Sequence, residues 1–205
     1  ALPISSGEMA AGSVRLGGRR ADRIVRDGVA LMPGGKSIFP TLTVAEHLRL
    51  ATWTFRNDDA RIDEDLARML EVFPVLAKLM DRLAGDLSGG EQQQLALAQT
   101  LMLRPKVLMI DELSLGLAPG VVASLLQIVR ALHAQGMTII LVEQSVNIAL
   151  TLAERAVFME KGAVRFEGPA RDLLERPDIL RAVFLDGADA ATPATPNGSG
   201  AGVDL

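Results

Sequence analysis

The stretch Asp86-Leu87-Ser88-Gly89-Gly90-Glu91-Gln92-Gln93-Gln94, followed about twenty residues later by Val107-Leu108-Met109-Ile110-Asp111-Glu112, decides how the rest of the chain is read. The first half opens a polar helix with serine and two glycines, which leaves backbone N–H groups unpaired at the positive end of the helix dipole and suits a phosphate. A plain N-cap gives the same pattern, so Ser88 alone does not separate capping from anion binding. The second half is an apolar strand that ends in two adjacent carboxylates before another apolar residue. A solvated turn, or a cap for the loop into the next helix, accounts for one such carboxylate more easily than for two.

Outward from this pair, long helical segments alternate with short apolar runs. A helix over 88–103, a strand over 107–110, a helix over 121–135, a strand over 138–142 and a helix over 146–153 imply a parallel sheet with crossover helices. Gly136 fits the end of the middle helix. Residues 156–160 and 163–167, joined by Lys161-Gly162, read as a hairpin, and 168–175 as one more helix. On the N-terminal side, 13–16 and 28–32 are β-like pieces flanking the charged stretch 19–27. Between them and the central pair, Leu48, Leu50, Leu66, Met69, Leu70, Phe73, Leu76 and Met80 recur at helical spacing, with Pro74 breaking or beginning a helix. From Asp186 onward small and polar residues dominate, which reads as a disordered tail. There is no internal repeat.

The 205 residues suffice for one domain with a proper core, or for one domain plus a small insert. A net charge of −4 argues against binding nucleic acid through a basic face. The absence of cysteine removes disulfides, thiolate zinc sites and cysteine nucleophiles, and is compatible with a reducing compartment. No apolar run reaches the ~18 residues of a membrane span, and no signal-peptide pattern is present, so membrane contact is expected through a partner. The chain begins Ala-Leu-Pro-Ile, which leaves open a longer parent.

The run from Leu87 to Pro119, LSGGEQQQLALAQTLMLRPKVLMIDELSLGLAP, resembles the signature motif, Walker B strand and D-loop of an ABC-type ATPase. The form SLGLAP, with VEQS around Gln144 and IFPTLTVAEHL around Phe39, is most similar to the ATP-binding subunits of branched-chain amino-acid importers, the Liv-type group. The resemblance runs over roughly residues 2–185 with five motifs in order. It implies an α/β, P-loop NTPase-like core with a mainly parallel sheet: an N-terminal β remnant and Q-loop region over 1–42, a helical subdomain over 43–87, the ATPase core over 88–185 and the tail over 186–205. It also implies ATP and Mg²⁺ as cofactors, a second ABC ATPase subunit and transmembrane permease subunits as partners, no nucleic acid, and a peripheral place on the cytoplasmic face of the cell membrane.

Phosphoryl transfer to water needs a phosphate cradle, a cation held by oxygen ligands and a group that orients the water. Asp111 is expected to hold Mg²⁺ and Glu112 to polarise the attacking water. By the resemblance, Ser88, Gly89 and Gly90 touch the γ-phosphate of an ATP held mainly by the other subunit, since two nucleotides lie between two head-to-tail domains. Glycine at 89 and 90 lets the backbone approach that phosphate. Ser114 opens the D-loop and is expected near the nucleotide; Ala118 stands where most families carry Asp. Gln144 occupies the place of a switch histidine and can hydrogen-bond a phosphate or water without accepting a proton, and a surface glutamine starting a loop is the plainer alternative. His47 and His133 are expected to face solvent.

Two departures matter. Gly34 stands where the family supplies a Gln or Glu that touches Mg²⁺ and relays nucleotide state, so docking through 39–44 is expected with a weakened relay. The run Gly34-Gly35-Lys36-Ser37 is not a P-loop, because position 30 is Ala and Pro40 interrupts the required helix. Against the family, the sequence starts just after the P-loop and its helix. Losing three charge-assisted hydrogen bonds at ~1.5 kcal/mol each lowers affinity about a thousandfold. The strand that precedes that loop belongs in the sheet interior, so unpaired backbone is expected beside it. These departures motivate a second reading, a non-catalytic interaction subunit that keeps the dimer and docking surfaces. An ABC-type ATPase of DNA repair or translation fits poorly, without a coiled-coil stretch or a basic face.

Overall fold

The computed structural model describes residues 8–12, 14–35, 37–173 and 175–176. The expected tail, the first seven residues and Lys36 lie outside them. The chain divides into two compact units, residues 1–152 and 153–205. The boundary falls inside the stretch 88–185 that the sequence reading takes as one core.

The first unit begins with a short antiparallel ladder, β1 (Ala10–Ala11) and β2 (Val14–Arg15), then α1 (Ala21–Arg26) and β3 (Val29–Met32). The helical stretch follows as α2 (Val44–Ala51), a 3-10 turn at Thr52–Phe55, α3 (Asp59–Val72), and α4 (Pro74–Ala77), for which Pro74 supplies the first turn. A second 3-10 turn, Ala84–Asp86, leads into α5 (Gly89–Leu101), then β4 (Val107–Asp111), α6 (Pro119–Ala134), β5 (Thr138–Val142) and α7 (Val146–Leu152). Gly136, at φ +92°, takes the left-handed conformation that lets the chain leave α6.

The sheet of this unit is parallel throughout, in the order β3-β4-β5. Ala30 lies beside Leu108 and Leu108 beside Ile139; Asp111 lies beside Val142. The central strand β4 is therefore bonded on both sides. β5 pairs with β4 over five residues, and among the described residues β3 and β5 are the outer strands of this sheet, each with one edge that no described strand pairs.

Period-two alternation assigns the faces. Met32, Leu108 and Ile110 are fully buried, and Leu95, Leu97, Leu101, Met102, Leu125 and Phe73 complete the same core. Burial of each such side chain contributes about 1.5–3 kcal/mol. On the opposite face Leu31, Ile140 and Val142 are each about half exposed. The central element is α5, which touches α2, α4, α6 and β3; Leu95 to Ala98 are all buried, so the helix is covered around its circumference.

The second unit is a hairpin of β6 (Arg155–Glu160) and β7 (Ala163–Pro169), with α8 (Ala170–Leu173) against it. Lys161 and Gly162 both take positive φ, +49° and +80°, as a two-residue type I′ turn demands.

Candidate functional site

The C-terminal tip of β4 carries the two carboxylates. Asp111 is the last residue of the strand, half-buried beside Val142. Glu112 then turns out of the sheet at φ +53°, a left-handed conformation that costs a non-glycine residue about 1 kcal/mol or more. Four hydrogen bonds and a buried side chain hold the turn. Glu112 N–H donates to the Val142 carbonyl at 2.9 Å, and Gln93 Nε2 donates to the Leu113 carbonyl at 3.3 Å while Leu113 itself is fully buried. Ser114 is fixed at the same time by its hydroxyl and its N–H, both donated to Glu143.

Gly34 faces this pair. A Cβ built on it would stand 3.2 Å from Glu112 Oε2, 3.3 Å from the Asp111 carbonyl and 3.4 Å from Asp111 Oδ2. Both carboxylates thus border the space that a side chain at position 34 would enter. The loop on from Gly34 is tied down along its length. Gln99 Nε2 donates to the Ser37 carbonyl at 2.9 Å, Gly85 N–H to the Pro40 carbonyl at 3.0 Å and Ala84 N–H to the Leu42 carbonyl at 2.8 Å.

His47 is the clearest correction to the sequence reading. Its ring is fully buried: Nε2 accepts the Phe39 N–H at 2.8 Å, and Nδ1 donates to the Thr43 carbonyl at 3.0 Å. It shares the inward stripe of α2 with Val44 and Leu48, also fully buried, so it acts as a polar core residue that anchors Phe39. His133 is exposed, as expected, with Nδ1 3.2 Å from the Met137 carbonyl.

At the start of α5, Ser88 forms a capping box. Its Oγ accepts the Glu91 N–H at 3.4 Å, and Glu91 Oε2 accepts both the Ser88 N–H and its hydroxyl at 2.8 Å. The N–H groups of Gly89 and Gly90, as the first two of the helix, have no intrahelical acceptor. Gly89 is exposed, whereas Gly90 is buried against α6, where an added Cβ would come within 2.7 Å of Val121 Cγ1. Close packing is therefore one requirement for glycine at 90.

A cleft of about 170 Å³ joins these parts, lined among others by Gly35, Ser37, Gly89, Gln93, Glu112 and Gly116. A larger cavity of about 260 Å³ lies at the other ends of β3 and β4, between Gly28, Arg104 and Lys106, away from both carboxylates. Gln144 is exposed just beyond β5. Ser114 gives both of its donors to Glu143 and can face a nucleotide only with hydroxyl lone pairs. Among the described residues no cluster of three or more acids, histidines or cysteines forms a cage for a metal. A magnesium ion does not require one, because it keeps several waters and takes one or two carboxylates plus phosphate oxygens. Asp111 and Glu112 around the open space at Gly34 fit that donor set.

Glu143, Gln93 and Gln99 are site residues that the sequence reading did not single out. Their partners are mostly backbone groups 20 or more positions away, which no local pattern reveals.

A family model described as ABC transporter matches residues 4–114. The chain is 38% identical over 187 residues to the high-affinity branched-chain amino acid transport ATP-binding protein BraG of Pseudomonas aeruginosa, a match covering 89% of this chain and 79% of that protein. It is 38% identical over 149 residues to the probable branched-chain amino acid transport ATP-binding protein LivF of Archaeoglobus fulgidus, covering 72% of this chain and 62% of that one. Among solved structures, a nucleotide-free ATP-binding cassette from an ABC transporter superposes with a TM-score of 0.76 at 21% identity, over 89% of this chain and 78% of that one. The dimeric bacterial cassette MJ0796 gives 0.70 at 22% identity, over 81% and 74%. These likenesses at low identity show the fold.

Proposed function

The chain belongs to the ABC transporter family, and from that premise we infer that it is an ATP-binding subunit coupling ATP hydrolysis to the import of branched-chain amino acids. The observation that carries the chemistry is the turn at the tip of β4. It presents Asp111 and Glu112 side by side toward the open space at Gly34.

In this reading Glu112 accepts a hydrogen bond from the attacking water and polarises it, and its backbone pins set the direction of its carboxylate. Asp111 is the residue that would hold Mg²⁺, which when bound neutralises phosphate charge. Gln144, exposed at the end of β5, donates to a phosphate oxygen or orients the water from the opposite side. Gly89 and Gly90 offer backbone N–H groups to the γ-phosphate of a nucleotide held by a second ATPase subunit, with Ser88 ordering that turn through its capping box. Ser114 serves by anchoring the loop that runs toward the second subunit. Dimerisation is supported by the fold likeness to a cassette solved as a dimer.

No helix among the described residues is long and apolar enough to cross a membrane. By its family membership we read the chain as attached through transmembrane permease subunits at the cytoplasmic face. Phe39, Trp53 and Leu83, which are 58%, 66% and 43% exposed, supply apolar contact for docking next to the loop anchored by His47. With glycine at 34 no side chain there would reach the cation, and holding it would fall to the carboxylates themselves.

The test is Mg-ATP turnover by the complex reconstituted with its permease subunits in proteoliposomes. Turnover is expected to rise with leucine, isoleucine or valine delivered from the opposite side, and not with glutamine. Turnover indifferent to these amino acids contradicts the assignment.

A further inference from the structure

Between the ends of β4 and β5 the chain is closed by a side-chain clasp that involves neither of the two carboxylates at the tip. Ser114 N–H donates to Glu143 Oε1 at 3.0 Å, and the Ser114 hydroxyl donates to Glu143 Oε2 at 2.8 Å. Both groups are half-buried, where a charge-assisted hydrogen bond is stronger than in water. The clasp sits one step beyond the last backbone bond of the sheet, Glu112 N–H to the Val142 carbonyl. It therefore extends the β4–β5 pairing past the strands, using a carboxylate where no ladder bond is available.

Its location gives it a consequence. Ser114 is two residues from Glu112, and Glu143 is next to Gln144. Glu112 stands at φ +53°, a conformation that persists only when its surroundings determine it. Upstream it is bonded to Val142; downstream the chain is pinned by buried Leu113 and by Glu143. Releasing the downstream pin lets the turn relax toward right-handed φ, which swings the Glu112 carboxylate away from Gly34. The same release frees the loop that carries Gln144.

We propose that Glu143 is a positioning residue for hydrolysis: by clasping Ser114 it holds the Glu112 turn in its left-handed form and fixes Glu112 and Gln144 relative to one another. This rests on the reading of Glu112 given under Proposed function. Glu143 acts here as a two-oxygen acceptor and not as a base. Glutamine can reproduce the clasp, its carbonyl accepting the Ser114 N–H and its amide donating to Ser114 Oγ. Alanine cannot.

The experiment measures Mg-ATP hydrolysis by the reconstituted complex carrying Glu143→Gln, Glu143→Ala, Ser114→Ala and the double alanine variant, with hydrogen exchange at the Ser114 amide as a readout that needs no activity. Glu143→Ala is expected to lose about tenfold or more in kcat with KM for ATP within about twofold, while Glu143→Gln falls less than about threefold. The double variant is expected within about twofold of Glu143→Ala, because both changes break one interaction. The Ser114 amide is expected to exchange faster in Glu143→Ala and to stay protected in Glu143→Gln. Activity of Glu143→Gln as low as that of Glu143→Ala would show that the charge acts directly and overturns the clasp. So would full activity of Glu143→Ala, multiplied losses in the double variant, or unchanged Ser114 exchange. A wild-type complex without hydrolysis overturns the functional reading and with it the positioning role, and the exchange result then shows separately whether the clasp exists.

Discussion

Gly90 and Val121 meet where α5 crosses α6, so closely that a Cβ on residue 90 would stand 2.7 Å from Val121 Cγ1 and 3.1 Å from Cγ2. The second glycine of the signature helix is therefore also a packing residue. Gly90→Ala is expected to lower stability by about 1–3 kcal/mol through overpacking, and Val121→Ala in the same chain to recover part of it. Denaturant titration of the single and double variants checks this. Equal stability of Gly90→Ala and wild type would mean that α6 yields without cost.

The helical stretch is tied to the end of α5 through one buried acid. Asp65 is fully buried and takes Arg104 Nε at 2.7 Å, Arg68 Nη2 at 3.0 Å and Arg61 Nε at 3.5 Å. Hydrogen bonds donated to Asp65 and Glu64 hold the Arg104 guanidinium above its already high ordinary range. Asp65→Ala removes the shared acceptor of three partly exposed arginines, of which Arg104 keeps Glu64 and Arg68 keeps the Leu101 carbonyl, and is expected to cost about 1–3 kcal/mol. Thermal unfolding monitored by circular dichroism reads this directly. A variant that melts with the wild type would show that the arginines find water or other acceptors.

Acid has a local target in α2. The Glu46 carboxylate accepts the Thr43 N–H at 2.8 Å and the Thr43 hydroxyl at 3.0 Å, and these bonds, the backbone one first, hold its pKa below the usual carboxylate range. A lowered folded-state pKa means that the contribution is complete above the unfolded value, near 4.5, and disappears as pH falls through the lower folded one. Wild type is therefore expected to lose stability relative to Glu46→Gln on going from pH 6 to pH 3. Parallel pH dependences of the two proteins would remove the capping box as the cause.

Much of this architecture was legible because it depends on local rules. Hydrophobic period and turn chemistry placed β5 over 138–142, the Lys161-Gly162 turn and the start of α4 at Pro74. What escaped depends on partners distant in sequence. His47 looks like a polar helix residue until Phe39 folds back onto it, and the burial of Gly90 depends on Val121, thirty-one positions on. Glu143 sits beside Gln144, and only the meeting of two strand ends shows that its carboxylate belongs to Ser114. The direct pairing of β4 with β5 was likewise invisible, because periodicity identifies strands and not their neighbours.

The most direct measurement is single-turnover hydrolysis of ATP by the reconstituted complex carrying Glu112→Gln, together with nucleotide retention by the same complex. The substitution keeps the size of the side chain and removes only its charge. ATP is expected to remain bound while hydrolysis falls by about a hundredfold or more. Hydrolysis at the wild-type rate in that variant would contradict the role of Glu112.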